Sequence, residues 1–154
     1  HIYIVGFRSS SFLAGYLNFY FRLIYDNVTQ VQGGAAGTFD QLFRVGPGDV
    51  VIAICFPRYS ELALKTVQYA KDRGATIIGV TDSEMSPVYQ MSSGSLLVRN
   101  EMISFVDSLA APMSMLNALI LAAAHKQGTD ISATFNELEH VWDRFGIFGK
   151  VEDE

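Results

Sequence analysis

The chain contains 154 residues, which is enough for one domain with a sizeable core. Hydrophobic residues account for 49% of it and charged residues for only 18%, below the share of about one quarter in average soluble domains, which indicates additional buried surface such as a subunit interface. The net charge of -5 and the 11 Lys and Arg residues offer no basic face for a phosphate backbone, which excludes direct DNA binding by this segment.

The cysteine content and the apolar runs predict a cytoplasmic protein. A single cysteine, Cys55, excludes an internal disulfide and fits a reducing compartment. No apolar run reaches the roughly 18 to 20 residues that cross a membrane, and no signal peptide precedes the first strand. Because His1 is not an initiator methionine and a strand pattern follows at once, we expect a further native domain upstream of this single domain of residues 1 to 154.

Short apolar runs alternate with helical patterns along the chain. The predicted strands are Ile2 to Val5, Val28 to Val31, Val50 to Ile54, Thr76 to Thr81 and Ser95 to Val98. The predicted helices are one capped by Ser10 or Ser11, one capped by Thr38 that runs through Phe43, Ser60 to Arg73, a short one opened by Ser86 and Pro87, Ser108 to Gln127, and Asp130 to Phe145. Pro112 indicates that the fifth helix starts near Ala111 or has a kinked first turn.

This alternation predicts the fold class α/β, as a three-layer α/β/α sandwich. Each parallel pair of strands needs a helical crossover, and apolar strands require helices on both faces of the sheet. For a five-stranded parallel sheet a common solution is the flavodoxin-like order 2-1-3-4-5, in which the order reverses between the first and third strands. Ligands of such sheets bind at this reversal, outside the carboxyl ends of the strands.

The first and third strands end in two loops rich in arginine and serine, GFRSSS (Gly6 to Ser11) and CFPRYS (Cys55 to Ser60). We expect these loops to face each other across one crevice, where each provides a guanidinium group, serine hydroxyls and a helix N-terminus. Such groups favour an anion, and a phosphorylated small molecule suits them. Taken separately, the two arginines also fit solvated loop positions, and Ser10 and Ser60 could simply cap their helices.

Three stretches carry a resemblance to a known family. They are GFRSSS, GDVVIAICFPRYS and YAKDRGATIIGVTDSEMSPV, and the last is the most specific. With them the chain resembles, over nearly its whole length, a sugar isomerase (SIS) domain, and in particular the C-terminal effector-sensing domain of the RpiR family of bacterial transcription regulators. SIS domains are similar to one another in a Gly-x-Gly-x-Ser turn after the first strand and a Ser-x-Ser-Gly-x-Ser/Thr loop after the third, which holds the phosphate of a phosphosugar.

The chain departs from this pattern in both loops. It keeps Gly6, Ser10 and Ser60, and the positions that differ are Arg8, Cys55, Pro57 and Arg58. The loops thereby lose two serine hydroxyls and one backbone donor, and gain two guanidinium groups. An altered phosphate loop of this kind still attracts anions, but it holds them differently or lets the arginines fill the pocket themselves.

The resemblance implies a phosphosugar sensor that signals through a homodimer to an upstream helix-turn-helix domain, with no catalytic residue, no metal and no cofactor. The implied ligand-binding residues are Gly6, Arg8, Ser9, Ser10, Cys55, Arg58, Tyr59, Ser60 and Glu61. The identity of the ligand stays open, and so does a third possibility, a dimerisation module whose pocket has degenerated.

A phosphosugar isomerase is the alternative from another class. Aldose-ketose isomerisation needs a base tuned toward neutral pKa, and the candidates are Glu61, Glu101, His125 and His140. Each also fits a plain structural role: a helix-dipole partner, a surface loop residue, a helix C-terminus and a solvated face. No base is paired with an orienting partner at a recognisable spacing, and neither a dinucleotide motif nor a metal-ligand spacing occurs in the sequence.

The segment MSMLNALILAAA, Met113 to Ala124, bears on oligomerisation. It is apolar nearly all round, yet too short to cross a membrane. Such a helix can be buried within its own domain or pack against a second copy. The low charge content and the resemblance favour a homodimer.

Overall fold

The computed structural model describes residues 1–103, 105–127 and 131–148. Its main sheet consists of β1 (Ile2–Val5), β2 (Val28–Val31), β3 (Val50–Ile54), β4 (Thr76–Thr81) and β5 (Gly94–Leu97). The strands are parallel and lie in the order β2-β1-β3-β4-β5, which confirms the predicted fold class and strand order. β1 lies at the reversal, because Ile2 pairs with Val28 on one side and with Val50 on the other.

Helices cover both faces of the sheet. They are α1 (Ser10–Ile24), α2 (Ala35–Leu42), α3 (Glu61–Asp72), α4 (Pro87–Met91), α5 (Ala110–Gln127) and α6 (Ile131–Phe145). Alternate residues of a strand point to opposite faces, so Ile52 and Ile54 of β3 pack against α1 and α5, while Val51 and Ala53 pack against α3. Both faces of the sheet are therefore buried, as the apolar strand sequences require.

Two helix starts differ from the sequence-based predictions. Thr38 does not cap α2: the helix begins three residues earlier, after Gly34, and Thr38 is fully buried inside it. Neither Ser10 nor Ser11 caps α1, because Ser9 occupies the N-cap position and its side chain forms no capping hydrogen bond. Both errors have one cause, since a helix that starts without a capping side chain leaves little signal in its sequence.

The other boundaries follow the predictions closely. Ser60 and Ser86 cap α3 and α4 with their side chains, as expected. Gly74, with φ of 87°, follows α3 in the left-handed conformation that ends a helix. The fifth strand lies one residue earlier than predicted, at Gly94–Leu97, and Asp130, the predicted start of the last helix, lies outside the described residues.

The segment before α5 contains a short hairpin that the sequence did not predict. Its strands are β6 (Met102–Ile103) and β7 (Val106–Asp107), and they are antiparallel. Two-residue strands are too short for an alternating pattern to be recognised. Pro112 lies in the first turn of α5, where no helical hydrogen bond needs its missing N–H, so the predicted start near Ala111 is right to within one residue. Among the described helices, none has the length and apolar character that a membrane crossing requires.

α5 offers a direct check of this packing, because it carries one buried and one exposed leucine. Leu116 is 0% exposed between the sheet and α1, whereas Leu121 is 70% exposed. We expect Leu116→Ala to lower the free energy of unfolding by about 2 to 5 kcal/mol, since it leaves a cavity in the core. Leu121→Ala should change it by less than about 0.5 kcal/mol. Urea denaturation at low protein concentration measures both, and equal losses would contradict the packing described.

Candidate functional site

The loops after β1 and β3 enclose a cavity of about 420 Å³. One wall is formed by the loop and first turn of α1, the other by the loop and first turn of α3. Eight of the nine sequence-predicted site residues line it: Arg8, Ser9, Ser10, Cys55, Arg58, Tyr59, Ser60 and Glu61. The cavity lies outside the carboxyl ends of β1 and β3, which is the switch point of the sheet.

Gly6 is the predicted residue that does not line this cavity. It borders a neighbouring depression at the ends of β1 and β2, which shares Phe7 and Arg8 with the first cavity. A Cβ atom at Gly6 would lie 2.6 Å from the carbonyl oxygen of Ser10 and 3.0 Å from the Cβ of Ala14. Gly6 therefore allows α1 to begin against the end of β1, and in this way it positions Ser10 on the cavity wall.

Arg8 and Arg58 share an unusual backbone conformation. Their φ angles are 57° and 26°, and they are the non-glycine residues with positive φ in the described chain. Side chains other than glycine rarely adopt this region, and holding one there costs about 1 to 3 kcal/mol. These are also the two positions at which the SIS pattern has glycine. The loops thus keep a glycine-type backbone while each presents an exposed guanidinium group at the cavity.

The three serines of the cavity make different contacts. Ser9 Oγ donates a hydrogen bond of 2.8 Å to Asp107 Oδ2, so its proton is already committed. Ser60 Oγ accepts from the backbone N–H of Ala63 at 3.4 Å, which leaves the hydroxyl proton of Ser60 for a ligand. Ser10 is buried in the first turn of α1. The capping interpretation is therefore correct for Ser60, although capping does not prevent Ser60 from donating to an anion.

Tyr59 and Cys55 are held by the protein itself. The Tyr59 hydroxyl donates to Asp82 Oδ1 at 2.8 Å, and burial together with this hydrogen bond raises the pKa of Tyr59 to about 12. Cys55 is 3% exposed, and burial raises the pKa of its thiol, an effect that the backbone N–H of Ser60 opposes only in part. Both groups thus stay protonated near neutral pH, and they shape the cavity wall rather than add charge to it.

The residues considered as isomerase bases lie in exposed positions. Glu61 lines the cavity, but its side chain is 86% exposed and pairs with Lys65 at 3.3 Å. Glu101, His125 and His140 are exposed and are not among the residues that line the cavity. Within the described part of the chain, no cluster of three or more His, Cys, Asp or Glu residues could hold a metal ion.

Asp107 lines the cavity, and sequence reasoning missed it. It lies at the end of β7, and its bond to Ser9 joins the hairpin to the loop after β1 across 98 residues of sequence. A lone aspartate in an irregular segment gives no local signal. Only the hairpin, which is itself too short to predict, brings it to the cavity.

The fold and the site together define a doubly wound α/β domain with an anion-favouring cleft at its switch point. The family model of the SIS domain matches residues 1–122, and the chain belongs to this family. The resemblance inferred from the three sequence stretches is thereby confirmed. A comparison with curated proteins finds no match.

Solved structures with the same fold include regulators and proteins with a bound phosphosugar. The sugar isomerase domain of an RpiR transcription factor from Sphaerobacter thermophilus has a TM-score of 0.84 at 21% identity, over 91% of this chain and 78% of that one. NanR from Vibrio vulnificus, complexed with ManNAc-6P, has a TM-score of 0.78 at 15% identity, over 97% of this chain and 56% of that one. The Escherichia coli CFT073 protein c3406, in complex with a phosphosugar, has a TM-score of 0.74 at 21% identity, over 90% of this chain and 76% of that one.

The backbone strain at the two arginines can be measured by comparing glycine with alanine at each position. Both substitutions remove the guanidinium group, so their difference reports the backbone alone. Because alanine is strained at positive φ and glycine is not, Arg8→Gly and Arg58→Gly should each unfold with a free energy about 1 kcal/mol higher than the matching alanine variant. At Lys65, inside α3, the order should reverse by about 1 kcal/mol. Chemical denaturation measures all six variants, and the same order at all three positions would contradict the assigned conformations.

Proposed function

We propose that this domain senses a phosphorylated sugar for an RpiR-like transcription regulator and binds it in the cavity between the loops after β1 and β3. The observation that carries the proposal is the pair of arginines, Arg8 and Arg58, on opposite walls of one cavity. Two fold neighbours, NanR and the Escherichia coli protein c3406, hold phosphosugars, which is consistent with this ligand class.

The groups around the cavity favour the phosphate end of such a ligand. Guanidinium groups bind phosphate oxygens in a bidentate manner, and α1 and α3 both direct their N-terminal ends toward the cavity. Ser60 adds a hydroxyl proton. The volume of about 420 Å³ lies in the usual range for small-molecule sites. The phosphate therefore has donors from both walls, even though Pro57 and Cys55 replace the serines of the family pattern.

Signalling requires a second copy and an upstream domain, and both are part of the proposal. We place a homodimer contact on the outer side of α5 and α6, where Leu121 is exposed beside Phe135 in an apolar groove and Phe145 is exposed at the end of α6. A ligand that binds two dimer states with different affinity shifts their populations, and an attached helix-turn-helix domain would respond. Such a regulator works in the cytoplasm, where its DNA lies.

An isomerase is the second candidate, favoured by the position of Glu61 on the cavity wall. A carboxylate there could move a proton between adjacent carbons of a bound sugar. Burial, which is the usual means of tuning such a base, is lacking at this largely exposed side chain. We therefore favour sensing without turnover.

Thermal unfolding with a panel of sugar phosphates and the matching free sugars tests the proposal. A ligand present at about a hundred times its Kd should add roughly 2.7 kcal/mol to the free energy of unfolding. Arg58→Ala should weaken binding by roughly 1.5 to 3 kcal/mol, because one charged hydrogen-bonding group is lost. Arg44→Ala is the matched control, since it removes the same charge from an exposed residue before β3, at the opposite edge of the sheet.

The outcomes separate the candidate functions. Stabilisation by a sugar phosphate, without conversion in a parallel NMR assay and with loss in Arg58→Ala but not in Arg44→Ala, supports the sensor. Conversion of the sugar supports the isomerase. No response to any phosphate would contradict both and favour a dimerisation module whose pocket no longer binds ligand.

A further inference from the structure

The cavity holds charges of both signs. Arg8 and Arg58 lie on its two loops, and Asp107 enters from the hairpin as a half-buried carboxylate. The carboxylate of Glu61 also lines the cavity, but it is largely exposed and is paired with Lys65, so solvent and its partner screen it. Asp107 is therefore the acidic group that a bound ligand meets with the least screening.

We propose that Asp107 is a specificity-determining residue, which admits phosphorylated sugars whose second end is neutral and hydroxylated and rejects ligands that carry a second anionic group. This inference rests on the proposed function, because it assumes that a phosphate occupies the arginine side of the cavity. It assigns the two ends of the ligand: the phosphate to the arginines, and the hydroxyl groups to Asp107.

Hydrogen-bond capacity supports this orientation. A carboxylate has about four acceptor positions, and the contact with Ser9 Oγ uses one of them, on Oδ2. The remaining positions can accept protons from sugar hydroxyls. Ser9 gives its proton to Asp107 and has none left for a phosphate, which shifts the preferred place of the phosphate away from Ser9 and toward the arginines and Ser60.

The position of Asp107 is fixed from two sides. Its backbone pairs with Met102 in the hairpin, and its side chain is bonded to the first turn region of α1 through Ser9. A carboxylate held in this way cannot simply turn away when a second anion approaches. Like charges brought together in a partly desolvated site repel strongly, so a ligand with an acid group at this end is disfavoured.

The test compares aldose phosphates with the corresponding aldonic acid phosphates. The probes are glucose 6-phosphate with 6-phosphogluconate, ribose 5-phosphate with 5-phosphoribonate, and inorganic phosphate, with Kd values from isothermal titration calorimetry. For wild-type protein we expect at least one aldose phosphate to bind about fivefold or more tightly than its acid. In Asp107→Asn, which keeps the size and an acceptor for Ser9, that ratio should fall toward one.

Ser9→Ala is the control for a merely structural role of Asp107. It removes the bond between loop and hairpin but keeps the carboxylate, so the preference for the aldose phosphate should persist. An unchanged ratio in Asp107→Asn, or the same loss of preference in Ser9→Ala, would overturn the role of Asp107 while leaving phosphosugar binding intact. If wild-type protein binds none of the phosphates, the proposed function fails, and the role of Asp107 fails with it.

Discussion

The site depends on the parallel pairing of β1 with β3. Residues Ile2 to Val5 pair in order with Val50 to Ala53, so the two strands end side by side and their loops open onto the same edge of the sheet. β2 lies on the other side of β1, which leaves a gap above the sheet where the crossovers diverge. Everything chemically distinctive in this chain lies around that gap.

Within this constraint, small backbone features decide which groups reach the cavity. Gly6 lets α1 start close to β1, and positive φ angles turn the loops at Arg8 and Arg58. Glycine would adopt those two angles at lower cost. Strain that is retained at two facing positions is typical of functional sites, where the side chain contributes what the backbone loses. An arginine at each position turns two neutral bends into two cationic ones.

The sequence predicted the sheet because its strands are short, apolar and fully buried, and because serine and glycine mark most helix ends. It also predicted the two facing loops, because sheet topology alone brings the ends of β1 and β3 together. It missed the start of α2, which lacks a capping side chain, and the hairpin β6–β7, whose strands have two residues each. The contact of Asp107 with Ser9 could not be predicted, since it joins residues far apart in sequence through an irregular segment.

The most direct test is to map a bound sugar phosphate by NMR, using the backbone amide signals of the domain. If the ligand binds between the two loops, the amides of residues 7–11 and 55–63 should shift together and saturate with one Kd, and the matching free sugar should leave them nearly unchanged. Shifts confined to the apolar groove between α1, α5 and α6, or equal shifts with the free sugar, would contradict a phosphosugar site at the switch point of the sheet.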